Sequence, residues 1–170
     1  LPNRPPQSIQ RLQNQRHKTM NDIIKQFFAW MGLKEKIHAA PHVPPLFKEG
    51  EIWWCYTGEN VGAEMNGKGS QFTRPVFVFK KYDKYAFLGL PLTTKQKVGS
   101  WYVSVAFGGV DQTVVLTQGR VLDYRRFKEK MGALTESEAL RVREAYAQLH
   151  FGSFKNRPPT ILRRDGERRG

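Results

Sequence analysis

Thr73-Arg74-Pro75-Val76-Phe77-Val78-Phe79-Lys80-Lys81-Tyr82-Asp83-Lys84-Tyr85-Ala86-Phe87-Leu88-Gly89-Leu90-Pro91-Leu92-Thr93-Thr94, residues 73–94, holds two β-type runs on either side of a short polar turn. Pro75 to Lys80 and Tyr85 to Leu90 are rich in Val, Phe and Tyr, and Lys81 to Lys84 place an Asp where a tight turn tolerates it. That spacing predicts an antiparallel hairpin. The same texture continues outward, in Glu51 to Tyr56 on one side and in Trp101 to Phe107, Thr113 to Leu116 and Arg120 to Tyr124 on the other. Gly108 to Gln112 read as the turn of a second hairpin, and many short strands with short turns predict a small antiparallel barrel. The exception is Thr57 to Thr73, a Gly-, Asn- and Ser-containing stretch. A loop of that length in a compact domain is usually functional or mobile.

The barrel is expected to end near Phe127. Thr135 and Glu138 then form a capping box ahead of Leu140, Val142, Tyr146 and Leu149, which predicts a terminal helix lying on the barrel. On the other flank Ile24, Phe27, Phe28 and Met31 recur at three- and four-residue spacing after Asn21, a capping residue, and predict an amphipathic helix over about 21–38 that packs on the domain or on a partner. Pro41, Pro44 and Pro45 follow as an extended connector. The chain is therefore divided into a basic arm with its helix and connector over 1–45, a barrel domain over 46–150, and a disordered basic tail over 151–170. The fold class is mainly β with flanking helices. Leu1 to Thr19 lack periodicity and read as a flexible arm; because Met20 opens the helical stretch, they are expected to be upstream translation or part of a partial gene product.

The net charge of +13 points to a polyanionic partner, nucleic acid most simply. Residues 1–45 contribute +5, residues 46–150 contribute +4 and residues 151–170 contribute +4, so most of the excess sits in the flanks and by itself supports nonspecific affinity only. Cys55 is the single cysteine, which rules out an intramolecular disulfide and makes a cytoplasmic location the default. Its place between Trp54 and Tyr56 reads as packing. No apolar run approaches the roughly 20 residues of a membrane span, so no membrane insertion is expected. His17, His38, His42 and His150 lack metal-type companions, and Pro41 interrupts the His38/His42 spacing; no metal and no cofactor are expected.

Four stretches in order resemble the PemK/MazF family of toxin endoribonucleases. Gly50-Glu51-Ile52-Trp53-Trp54 is similar to the family's opening strand, Asn60-Val61-Gly62-Ala63-Glu64 to its Gly-Ser-Glu loop, Thr73-Arg74-Pro75-Val76-Phe77-Val78 to its Arg-Pro strand, and Pro91-Leu92-Thr93-Thr94-Lys95-Gln96 to the end of its third strand. Gln118, Arg120 and Asp123 resemble the residues before its last strand and helix. The resemblance covers about 100 residues and leaves both flanks outside.

It implies an SH3-like barrel with a terminal helix, usually a homodimer, that acts as the toxin of a type II toxin-antitoxin system and is neutralised by a disordered segment of a cognate antitoxin. The implied activity is metal-independent cutting of single-stranded RNA by attack of the 2′-hydroxyl on phosphorus. Arg74 would stabilise the charged phosphorane, because a guanidinium fork matches two phosphate oxygens. Thr93 would hydrogen-bond a nonbridging oxygen, with Thr94 the alternative since successive strand residues face opposite ways. Glu64 would either accept the 2′-OH proton or contact RNA. Lys95, Thr94, Lys68, Asn66, Gln118 and Arg120 are the candidate RNA-binding residues, and Trp53, Trp54, Trp101 and Tyr102 are candidate stacking platforms, with Trp53 or Trp54 expected to be mainly structural. Leu116 and Thr117 stand where some members carry a catalytic Arg and Asp, and the stretch from Glu64 to Arg74 is longer than in typical members. Leu116 and Thr117, with the basic tails, keep open a noncatalytic barrel that binds RNA or protein, and the resemblance also implies a third reading, a poison of DNA gyrase on the same fold.

Overall fold

The structure, a computed structural model, describes residues 26–152; Asn21, Ile24 and the rest of the first 25 residues, and the tail from 153 onward, lie outside the described residues. Seven strands are found there: β1 Glu51–Tyr56, β2 Thr73–Lys81, β3 Ala86–Thr93, β4 Tyr102–Phe107, β5 Val110–Val115, β6 Arg120–Asp123 and β7 Phe127–Ala133. Helix α1, residues 26–39, precedes them and α2, Glu136–Phe151, follows.

The strands hydrogen-bond in the order β4-β5-β3-β2-β1-β7, with β6 added beside β3. All pairs are antiparallel, and the sheet curls into an open half-barrel. β3 is the pivot. Its first half, Ala86 to Gly89, pairs with β6, whereas Leu92 and Thr93 pair with Val114 and Thr113 of β5.

Alternation along the strands sends side chains to both faces of this sheet, and each face carries its own core. Ile52, Phe77, Leu90, Leu92, Val114 and Leu116 pack on one face beneath Val142 of α2. Trp53, Cys55, Val76, Val78, Phe87 and Leu122 pack on the other, with Phe47 and Phe127 stacked over them. Full burial of each such side chain contributes about 1.5–3 kcal/mol. Burial pushes the Cys55 thiol well above its ordinary range, so it behaves as an apolar packing residue.

Besides the second hairpin, whose turn is Gly108 and Gly109 alone with Val110 to Gln112 already paired in β5, the structure departs from the sequence expectations in three places. The chain does not leave the sheet at Phe127 but runs on as β7 beside β1. Phe127-Lys128-Glu129-Lys130-Met131-Gly132-Ala133 is a charged edge strand, a composition that discourages further pairing and blurs the strand signal. In α2, Thr135 caps as expected, accepting from the Glu138 N–H at 3.3 Å, but Leu140 is exposed. The packed stripe is Ala139, Val142, Tyr146 and Leu149, and Leu140 lies one residue, about 100°, off it. In α1, Phe28 and Met31 are 67% and 62% exposed while Trp30 is 7% exposed. The inward stripe is the buried Trp30 with the half-buried Phe27, Leu33 and Ile37, a second set at helical spacing that overlaps the first through Phe27.

Candidate nucleic-acid interface

The second face of the sheet leads from its aromatic core into a groove of about 300 Å³. Val76, Gly89, Pro91 and Leu122 form its floor, and Thr57, Glu64, Gln118 and Arg120 stand around it. Val76 pairs with Pro91 as the last step of the β2–β3 ladder, and Arg74 and Thr93 lie two residues beyond it on their strands, so alternation puts them on the same face as Val76 and Pro91. The Arg74 guanidinium reaches across the pair, its Nη1 donating to the Leu92 carbonyl at 3.3 Å. Arg74 and Thr93 are 8% and 7% exposed and neither lines the groove; both are covered, next along the strands from its Val76 and Pro91 floor.

The roof is the loop over residues 57–72, and its fold explains why these positions are covered. Thr57 and Gly58 donate their N–H groups to the Phe72 carbonyl at 3.0 and 3.1 Å, which closes the neck. Gly67 donates to the Gly58 carbonyl at 2.7 Å and runs so close to Phe72 that a Cβ there would lie 1.9 Å from its carbonyl oxygen. Only glycine permits that approach. Asn66 is the hub, its side chain accepting from the Asn60 N–H at 2.7 Å and donating to Glu59 at 2.6 Å. Its own carbonyl takes Nε and Nη2 of Arg74 at 2.8 and 2.6 Å.

Residues first read as RNA contacts are thus tied to the loop. Gln118 accepts from the Met65 N–H at 3.0 Å and donates to the Ala63 carbonyl at 3.3 Å. Arg120 donates to Asn60 Oδ1 at 3.1 Å and to the Thr57 carbonyl. Glu64 is exposed and accepts from the Val61 N–H at 3.4 Å. Thr93 Oγ1 accepts from the Lys95 N–H at 3.2 Å; Thr94, Lys95 and Lys68 are exposed beyond the strand end and on the loop. Trp53 is buried, its indole N–H on Glu51 at 2.8 Å, while Trp54 and Tyr102 are half-buried and Trp101 is exposed. Lys81 is turned inward, donating to the Phe47 carbonyl at 3.0 Å, and Lys80 pairs with Glu49.

Burial lowers the guanidiniums of Arg74, Arg120 and Arg126 from their usual range, and for Arg126 the nearby charge of Arg120 adds to it. Three partly desolvated cations therefore surround the loop's base, a field that attracts phosphate. Arg126 and Trp30 were not read as site residues. The Arg126 Cζ lies 5.3 Å over the Trp30 ring and Nη1 donates to the Tyr56 carbonyl at 3.0 Å, which places α1 against the loop's neck. The stripe through Phe27, Trp30, Leu33 and Ile37 was the available signal.

Among the described residues no His, Cys, Asp or Glu group of three or more comes together as a metal site, and no helix is long and apolar enough to cross a membrane.

The family model described as PemK-like, MazF-like toxin of type II toxin-antitoxin system matches residues 48–150. Among solved structures, MazF (Form-I) from Deinococcus radiodurans is 21% identical with a TM-score of 0.50, covering 64% of this chain and 97% of that one. An endoribonuclease in complex with its cognate antitoxin, from Mycobacterial species, is 14% identical with a TM-score of 0.48, covering 68% and 99%. The first of these bears on the fold alone. Comparison with curated proteins gives no match.

Proposed function

Because the chain belongs to the PemK-like, MazF-like toxin family of type II toxin-antitoxin systems, we propose that it is the toxin of such a pair and cuts single-stranded RNA at the groove over β2 and β3. The observation that supports this reading is that Arg74 and Thr93 lie two residues beyond the paired Val76 and Pro91, on the strand face that floors a groove bordered by Glu64, Gln118 and Arg120. In the reaction the 2′-oxygen bonds to phosphorus and gives its proton to the Glu64 carboxylate. The bond from phosphorus to the 5′-oxygen breaks, and that oxygen takes up a proton from solvent or from Arg74. The products are a 2′,3′-cyclic phosphate and a 5′-hydroxyl. Arg74 neutralises the phosphorane oxygens and Thr93 Oγ1 donates to one of them, the kind of contact whose loss costs about 100- to 1,000-fold in rate. Lys95, Thr94 and Lys68 hold flanking phosphates, and Asn66, Gln118 and Arg120 act on RNA through the loop they shape. The chain acts in the cytoplasm as a homodimer, and its cognate antitoxin occupies the same groove.

Purified protein incubated with a long single-stranded RNA in EDTA is expected to give fragments ending in cyclic phosphate. Arg74→Ala, checked for folding by its melting curve, should abolish them; cutting that persists in the folded variant excludes this site. One observation favours a second reading, a noncatalytic RNA-binding barrel: the Arg74 donors are already engaged by main-chain carbonyls. Salt-dependent binding without cleavage would select it.

A further inference from the structure

α1 lies outside the stretch that the family model matches, yet it rests on the loop that covers Arg74. Trp30 is the point of contact. Its ring centroid is 5.7 Å from that of Phe72, and a Cβ on Gly58 would lie 2.4 Å from its Cε2. Gly58 and Phe72 are the two residues whose main chains close the loop's neck, and Gly58 also accepts from Gly67, the neighbour of Asn66. A short path therefore runs from Trp30 through the neck to the carbonyl that holds Arg74. Phe72 sits at φ 49°, a left-handed conformation that a bulky residue keeps only when its surroundings enforce it, and the packed indole is part of that enforcement.

We propose that Trp30 is a positioning residue for the groove: it holds the 57–72 loop down over Arg74, and RNA engages Arg74 only when this contact yields. The proposal rests on the RNA reading above for its second half. If the covered loop is the resting state, apparent affinity for RNA is the intrinsic affinity reduced by the fraction of molecules with the loop raised. Weakening the Trp30 contact then strengthens binding, the reverse of what a residue supporting an already formed site does.

The test uses the full chain, Trp30→Ala and Trp30→Phe, with two measurements. Amide hydrogen exchange is followed at Gly58, Gly67 and Phe72, with Ile52 and Phe77 in the barrel as controls. Binding of a fluorescent single-stranded RNA is followed by anisotropy. The expected result for Trp30→Ala is loop exchange at least about tenfold faster, barrel exchange unchanged and RNA binding several-fold tighter. Trp30→Phe, which keeps a ring toward Phe72, falls between. Unchanged loop exchange overturns the proposal, and so does faster exchange with weaker RNA binding, since the held loop would then be the binding form. Should Trp30→Ala also lose barrel protection, Trp30→Phe decides: loop exchange raised over an intact barrel supports the proposal, and wild-type loop exchange overturns it. If the unaltered chain binds no RNA, the RNA reading fails while loop exchange still reports whether Trp30 holds the loop.

Discussion

The guanidinium of Arg74 grips the main-chain carbonyl of Asn66 twice, through Nε at 2.8 Å and through Nη2 at 2.6 Å. A lysine at 74 keeps the charge but has one nitrogen and no planar fork, so it cannot hold the Asn66 and Leu92 carbonyls together. Arg74→Lys is therefore expected to lower stability by about 1–3 kcal/mol, as charged hydrogen bonds are lost from buried carbonyls. RNA cutting should fall at least tenfold. Denaturant unfolding and a cleavage time course measure the two; a variant with full activity would remove the fork from the mechanism.

Gln118 ties the loop to the strand that follows, through Met65 and Ala63, across more than fifty residues of sequence. Gln118→Ala leaves the Met65 N–H and the Ala63 carbonyl without their side-chain partner and is expected to cost about 1 kcal/mol. Because its amide is committed to holding the loop down, its loss should shift RNA binding in the tighter direction of a loosened loop, and to the same degree for all sequences. Binding measured on several RNA oligomers checks this, and a change in sequence preference would instead make Gln118 a direct reader.

Much of the fold was legible in the sequence because strand periodicity and turn chemistry agree locally. Glu51 to Tyr56 was read to the residue, and the Thr135 cap lies where it was expected. β7 escaped because an edge strand needs only one paired side and tolerates Lys128, Glu129 and Lys130 outside. At the candidate site the sequence named Arg74 and Thr93, and both turn out to be buried just beyond the paired Val76 and Pro91. It gave no sign that the 57–72 loop would cover them, because that depends on long-range bonds to main-chain carbonyls, which any residue type supplies. Trp30 was overlooked for a related reason: α1 carries two overlapping apolar stripes, and only the tertiary partner selects between them.

Glu51 makes part of the stability depend on pH. Burial alone raises its carboxyl, but the bonds from Lys130 Nζ at 2.6 Å and Trp53 Nε1 at 2.8 Å, with the Lys48 main chain and the Lys130 charge, more than offset that and hold it below its ordinary value of 4.5. The folded state therefore binds this proton less readily than the unfolded chain. Its contribution is complete above that ordinary value and is lost as pH falls through the lower folded one. Glu51→Gln is expected to cost about 1–2 kcal/mol at pH 7, with the gap to the parent narrowing below about pH 4. Unfolding curves between pH 7 and 3 measure it, and a gap independent of pH would assign the loss to packing rather than charge.

Thr113 offers a change in the opposite direction. It pairs with Thr93 on one side and with Ser104 on the other, is fully buried, and its Oγ1 has no hydrogen-bond partner. An orphaned buried hydroxyl costs about 1–3 kcal/mol, and valine replaces it with a methyl group of nearly the same shape while suiting a β-strand. Thr113→Val is expected to raise stability by about 1 kcal/mol and the melting temperature by roughly 2–4 °C for a chain of this size. Thr93 keeps its own bond from the Lys95 N–H, so RNA cutting should be unchanged. Lower stability in the variant would mean that the hydroxyl is satisfied in solution, and lost cutting at intact stability would move Thr113 into the reaction site beside Thr93.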